Sequence, residues 1–480
     1  MKYLDIAMNT ANALGADYAD IRIQKSTDQT IYLQNLSLKN TSTSTLHGYG
    51  IRVLKDGAWG FAHSDVFSDD AVAATVKRAL GIALLSSKAK KGAGLVLAPE
   101  RSYIATYRTP VKIDPLELSL KEKVDLMLET NRMMMSYEGI RQAIFYLVMH
   151  KDEKLFASTL GTRLDITTQY LNPLIQATAV MDGDSQSRTF DLGGRATGWE
   201  WIDELNLTEK AKQVAEEAII KVKADTLGPE QRRSLILDPN HLGLTMHESV
   251  GHPTELDRVL GWEADYAGIS FATPEKLGNY KYGSDIVNFV GDNTLDQGLA
   301  TAGFDDDGVP NQKWYIIKDG ILNEYGTTRE TAPQIGLSQS RGCNRATHYF
   351  NQPINRIPNL YLLPGKEELS PAQLINDTED GVYIEGRGSF SIDQHRVNFQ
   401  FGGDFFWEIK NGKLVRPLKK VLYKSCNPEF WNSCDAICDQ RYWQPFGVVN
   451  CGKGQPSQTG RMTHGSAPAR FRNIRVGGSQ

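Results

Sequence analysis

Thr226-Leu227-Gly228-Pro229 separates two stretches of different character, and that break constrains the fold more than any other feature of the chain. A chain of 480 residues is too long for one hydrophobic core, so two or three cores sharing interfaces are expected. Before the break, helix and strand patterns alternate. Leu4, Ala7, Met8, Ala11 and Leu14 fall at helical spacing, followed by the strand-like Tyr18 to Ile23. A second apolar stretch, Ile31 to Leu38, leads into the strand-like Gly50 to Leu54, and Lys55-Asp56-Gly57 is a hairpin signal ahead of Ala58 to Phe61. Helical patterns are predicted over about 69–87, 118–137 and 207–225, and strands over about 142–150, 155–159 and 164–182. After the break come short strands joined by turns. Trp314 to Ile317 runs into Lys318-Asp319-Gly320, and Phe405 to Ile409 into Lys410-Asn411-Gly412. Residues 1–227 therefore read as a mixed α/β domain, and residues 228–480 as a β-rich one.

Composition removes several classes of function. With 40% hydrophobic and 23% charged residues the chain has ample material for packed cores, which argues against disorder. The net charge is -4 and no extended block of Lys or Arg is present, so nucleic acid is not an expected partner. No stretch approaches the ~18 consecutive apolar residues of a membrane span. Met1-Lys2-Tyr3-Leu4-Asp5 lacks the charged and then apolar regions of a secretory signal, and a cytoplasmic location is expected. Cys343, Cys426, Cys434, Cys438 and Cys451 are odd in number, which suits reduced thiols better than a disulfide framework.

Chemistry concentrates in Leu244-Thr245-Met246-His247-Glu248-Ser249-Val250-Gly251-His252-Pro253-Thr254-Glu255. The segment follows an apolar strand, Ser234 to Leu237, and a break at Asp238-Pro239-Asn240, where Asn240 is placed to cap a helix burying Leu242, Met246 and Val250. Two imidazoles flanking a glutamate is the layout of a zinc peptidase, whose histidines are usually four apart on one helix face. Here they are five apart, which in a straight α-helix separates them by about 140°. A π-type bulge would return them to one face, with Gly251 easing the distortion, so a bulged helix is predicted. A catalytic zinc takes three protein ligands and keeps a position open to water. Spacing leaves two candidates for the third: Glu255, and Cys451 in a glycine-flanked loop. A separate four-thiolate site of Cys426, Cys434, Cys438 and Cys451 ranks below the mixed His/Cys site, because the gaps lack paired C-x₂₋₄-C spacing.

His247-Glu248-Ser249-Val250-Gly251-His252, with Glu255 and Asp257, resembles the HExxxH signature of the TldD/PmbA family, specifically its TldD-type metallopeptidase subunits. Asp17 to Arg22 and Gly50 to Val53 resemble its N-terminal strands. Asp305 to Pro310 with Ile316 to Leu322 resembles the middle of its C-terminal region. Cys451-Gly452-Lys453-Gly454-Gln455 matches its C-terminal cysteine motif, and Gly477-Gly478 stands near the end. The resemblance implies His247, His252 and Cys451 as ligands of one zinc per chain, with Glu248 as the general base that takes a proton from zinc-activated water. It also implies an α+β fold in which an N-terminal mixed α/β domain precedes a C-terminal domain rich in antiparallel β-strands that carries the metal-site helix. The implied partners are peptide or unfolded-protein substrates and a second subunit, in a homodimer or a heterodimer with a PmbA (TldE)-type chain. The alternative is an interaction or scaffold subunit of such a complex with a structural metal site, which would have four protein ligands.

His464 lies close enough in sequence to Cys451 to reach the same site or to be an ordinary loop histidine, while Glu255 and Asp257 suit orienting or capping roles. Asp305-Asp306-Asp307-Gly308 has the look of a calcium loop, but Val309 stands where an oxygen ligand is needed, so a turn is expected. Gly386-Arg387-Gly388 is too short for a dinucleotide fingerprint. Phe405-Phe406-Trp407 and Phe430-Trp431 read as core.

Overall fold

The computed structural model describes residues 1–89 and 92–478. The N-terminal half is built on a seven-stranded sheet in the order Ala58–Ser64, Ser37–Lys55, Tyr18–Gln34, Ile140–Ser158, Arg163–Met181, Ile104–Arg108, with Asp184–Asp191 also paired to Arg163–Met181. Four of these strands are 17 to 19 residues long, roughly 55–60 Å at 3.3 Å per residue. That length lets one sheet face carry two helix pairs. Lys2–Ala13 and Asp69–Ala89 pack at one end, where Leu4, Met8, Val72 and Val76 meet Ile21, Tyr49 and Val53. Leu120–Met135 and Leu207–Lys223 pack at the other, around Ile31, Phe145 and Ile175.

Alternation along Tyr18–Gln34 explains why the sequence broke this sheet into shorter pieces. Ile21, Ile23, Ile31 and Leu33 share one parity and face the helices. The opposite parity carries Asp20, Arg22, Gln24 and Ser26, which are also buried because they face the C-terminal half. Arg22 Nη2 donates to the carbonyls of His348 and Asn351 (2.9 Å each), and Gln24 Nε2 donates to that of Thr347 (2.9 Å). Buried Asp152 likewise accepts from Gln24 Nε2 (3.0 Å) and Ser26 Oγ (2.5 Å). Such polar interface residues interrupt an apolar pattern, so the strands expected at 142–150 and 155–159 are the single strand Ile140–Ser158. The apolar run Ile31 to Leu38 proves to contain a tight hairpin turn, with Asn35 and Leu36 at φ 50° and 62°. Asn suits that conformation, but Leu is a poor turn signal, and it hid the turn. The turns expected at 55–57, 318–320 and 410–412 are present, with Asp56, Asp319 and Asn411 at φ 48–49°.

Asp225–Thr226 already pairs with Lys413–Lys419, and Leu227 joins the C-terminal core. That half contains two larger sheets. In one, Gln231–Leu237 lies between Asp380–Glu385, parallel to it, and Ala469–Gly478, antiparallel to it, which buries Ser234 to Leu237 on both sides. The other runs Ile321–Leu322, Lys313–Lys318, Phe289–Asp292, Leu360–Leu362, Gln458–Ser466, Gln444–Lys453, and is antiparallel except where Leu360–Leu362 meets Gln458–Ser466. The fold is thus mixed α/β, with long antiparallel strands in front and antiparallel and mixed sheets behind. Phe405, Phe406, Phe430 and Trp431 are core residues. Asp305 to Asp307 form a buried turn: Asp307 pairs with Arg52 (2.8 Å) and Asp306 with Lys154 (3.3 Å), so these acids tie the two halves together.

The helix Pro239–Met246 lies between the sheets, packed against Asp380–Glu385, Gln444–Lys453 and Gln458–Ser466. Its cap differs from expectation. Asp238, not Asn240, is the N-cap and accepts from the His241 N–H (2.7 Å). Pro239 fixes the first helical position, which leaves Asn240 inside the helix, where its Nδ2 donates to the Asp191 carbonyl (2.7 Å). Asp238 also accepts from the Gly386 N–H (3.1 Å), joining the helix to the cleft wall. Asp238→Ala is expected to lower stability by about 1–2 kcal/mol, read as a fall in the urea midpoint, with Asn240→Ala nearer neutral.

Candidate metal centre

His247–Gly251 is a π-helical turn inserted directly after Pro239–Met246, followed by a 3₁₀ turn at His252–Thr254. The predicted bulge is therefore present and places the two imidazoles together, with ring centroids 4.7 Å apart. Gly251 is not strained, since its φ is -57°. Its lack of a side chain serves packing instead, because a Cβ there would lie 3.0 Å from Ile357 Cδ1. Pro253, four residues on, has no N–H, so the Ser249 carbonyl accepts from outside the helix, from the Tyr282 hydroxyl and from Asn427 Nδ2 (2.6 Å).

Cys451 arrives on the strand Gln444–Lys453, and its Sγ lies 3.5 Å from His252 Nε2. One donor atom each from His247, His252 and Cys451 lie within 4.8 Å of one another, all three residues buried. The 3.5 Å separation matches the spacing of about 3.5 Å between a nitrogen and a sulfur on a tetrahedral zinc with the usual bond lengths. Cys426, Cys434 and Cys438 are not in this group, and all five cysteines are free.

Second partners fix how the imidazoles present themselves. His464 sits on the strand Gln458–Ser466, its Nδ1 3.1 Å from the Leu360 carbonyl and its Nε2 2.7 Å from His247 Nδ1. A neutral His464 that donates to that carbonyl must accept at Nε2, so His247 donates from Nδ1 and keeps its Nε2 lone pair. His252 Nδ1 faces Glu255 Oε2 (2.7 Å), which likewise leaves Nε2 as the available ligand atom. Burial lowers the pKa of His247 and His252, favouring the neutral form that binds a metal. Burial works to raise the Cys451 thiol, but the neighbouring His252 and Arg356 outweigh it and bring the thiol below its usual range. Burial also opposes ionisation of Glu255, yet Lys453 and His252 hold its carboxyl well below the usual range. The donor chemistry therefore fits a divalent metal of the zinc type.

Lys453, fully buried, explains the Cys-Gly-Lys motif. Its Nζ lies 2.7 Å from Asp257, 3.1 Å from Glu255 and 2.8 Å from the Asn355 carbonyl, which clamps the cysteine strand onto the end of the histidine segment. Glu255 is thus an orienting group shared by His252 and Lys453, and Asp257 is an anchor.

Glu248 faces a cleft of about 770 Å³ also lined by His247, His252, Cys451, Arg387 and Arg396. The Arg396 guanidinium is hydrogen-bonded to Glu248 Oε2. Arg396 belongs to the turn between Phe390–Ile392 and Asn398–Gly402 and takes φ 63° there. Arg387 pairs with Asp191 and lies over the Phe446 ring at 4.4 Å. In the sequence Arg387 stands only in the short Gly386-Arg387-Gly388 run and Arg396 in no motif, and no spacing links either to the histidine segment.

Two buried imidazoles and a thiol opening on a cleft beside a glutamate form a donor set suited to a metal ion. The chain belongs to the PmbA/TldD metallopeptidase family. The family's C-terminal domain matches residues 230–478, its domain 1 residues 19–83, and its central domain residues 113–222. A metalloprotease of Methanothermobacter thermautotrophicus is 28% identical over 466 residues, 96% of each chain. A zinc metalloprotease TldD homolog of Saccharolobus solfataricus is 22% identical over 477 residues, 98% of each chain. Among solved structures, TldE from Thermococcus kodakarensis shares the fold with a TM-score of 0.76 at 14% identity, covering 99% of this chain and 100% of that one. A Thermotoga maritima protein described as a proposed modulator of a DNA gyrase has a TM-score of 0.79 at 19% identity, covering 99% of each chain.

Proposed function

We propose that this chain is a zinc-dependent metallopeptidase that hydrolyses peptide bonds in peptides or unfolded segments. His247, His252 and Cys451 would hold one zinc, with Glu248 as general base. The observation that carries this reading is the convergence of three buried donors beside a cleft-facing glutamate. Bound zinc supplies Lewis acidity and lowers the pKa of a water in the cleft. Glu248 takes that water's proton and returns it to the leaving amine. Arg396 holds one carboxylate oxygen and keeps the glutamate turned toward the cleft. His464 and Glu255 keep the two ligand imidazoles in a single tautomer.

A three-donor cluster fits a catalytic site better than a structural one, which uses four. The TldD names of relatives and the TldE fold neighbour support assembly with a second subunit, either a copy of this chain or a TldE-type partner. No helix among the described residues is long and apolar enough to cross a membrane, and five free cysteines suit a reducing compartment, which supports a cytoplasmic site of action.

Metal removal tests the reading. Chelation is expected to abolish cleavage of an unstructured peptide, and about one equivalent of zinc per chain to restore it, followed by mass spectrometry of the products. Unchanged cleavage by metal-free protein would defeat the proposal.

A further inference from the structure

A cavity of about 80 Å³ lies where the N-terminal sheet meets the C-terminal half. Its lining includes four cationic side chains, Lys154, Arg345, Arg356 and Arg461, against a single carboxylate, Asp152, and one histidine, His150. Lys154 pairs with Asp306 (3.3 Å), and Arg461 approaches Asp152 (3.7 Å). His150, between Asp28 (2.6 Å) and Asp152 (2.9 Å), absorbs much of the remaining negative charge.

Arg345 and Arg356 are different. Among the described residues neither has a carboxylate within 4.0 Å. Arg345 donates to the carbonyls of Arg461 and Ile357, and Arg356 to those of Cys451 (2.5 Å) and Gln458 (3.1 Å). The Nε atoms of Arg345, Arg356 and Arg461 are inaccessible to solvent and have no hydrogen-bond partner. Burial and the neighbouring Arg356 charge bring the Arg345 pKa down to about 10. A Cys451 thiolate accounts for at most one of these two charges. Gly460 lets Arg356 sit this close to the chain, since a Cβ there would lie 2.4 Å from Arg356 Nη2.

Buried charge without a counter-charge is costly, and guanidinium forks match the geometry of tetrahedral oxyanions. By this measure of volume a single water needs about 10–15 Å³, so the cavity has room for one small oxyanion and none for a nucleotide or a peptide. We propose that it is a binding site for a small inorganic oxyanion, phosphate or sulfate, held by Arg345, Arg356 and Arg461. The anion supplies the missing counter-charge at the junction of the two halves.

Equilibrium dialysis of the full chain with radiolabelled inorganic phosphate, with sulfate as competitor, tests the site independently of zinc. About one phosphate per chain is expected, displaced by sulfate, with affinity about tenfold or more weaker in Arg345→Gln and in Arg461→Gln. Arg461→Gln decides the matter if circular dichroism shows that Arg345→Gln does not fold. Absence of saturable phosphate and sulfate binding at millimolar concentrations overturns the proposal, as does wild-type affinity in every folded variant.

Discussion

Glu248→Gln will lower the hydrolysis of an unstructured peptide by about 10²–10⁴-fold while the chain retains its zinc. Glutamine keeps the size of the side chain and an oxygen that can still accept from Arg396, so the cleft wall is preserved. What disappears is the group able to take a proton. In free-energy terms the change is about 3–5 kcal/mol of barrier, expressed in kcat with little change in KM, because the loss falls on the transition state. Elemental analysis alongside the kinetics keeps the result unambiguous. Hydrolysis at the wild-type rate by a zinc-loaded variant would remove Glu248 from the role of base.

Cys451→Ser is expected to take zinc from about one per chain to almost none after dialysis. Even partners that only orient a ligand commonly matter about 10–100-fold in metal affinity, and a direct thiolate ligand matters more. A serine hydroxyl stays protonated and is a poor substitute for the anionic sulfur. The substitution is small and leaves the clamp of Lys453 on Asp257 and Glu255 in place, so the fold is expected to survive. Cys434→Ser is the matching control, since Cys434 lies on Cys434–Ile437, a strand of the other sheet. Full zinc in Cys451→Ser would put Glu255 back among the ligands.

The centre was legible in the sequence to different depths. The five-residue gap between His247 and His252 contained the π turn, because a shared ion demands one face and a regular helix cannot supply it. The choice between Glu255 and Cys451 was not contained in spacing. It depends on how Gln444–Lys453 crosses the helix, a contact across some 200 residues that only the family resemblance supplied. Arg396 stayed hidden for the same reason. The cap was misread by two residues because Asp and Asn both suit the role, and the position of Pro239 decided between them. In the fold, helices of clear period were found within a few residues of their observed ends. The long strands were fragmented, because residues such as Gln24 and Asp152 are buried for their partners rather than for apolarity.

The Ser249 carbonyl has a bearing on how this centre comes into being. Pro253, four residues on, has no N–H to offer that oxygen, so the histidine segment cannot satisfy it alone. Here its partners are Tyr282 and Asn427, one 33 and the other 178 residues downstream. An excised peptide of the segment would have only water to offer that oxygen, and nothing to hold its π turn in place. The geometry that gathers the donors is therefore acquired late, when the remote parts of the chain close around it, and a nascent chain carries the residues of the centre well before it carries the centre itself.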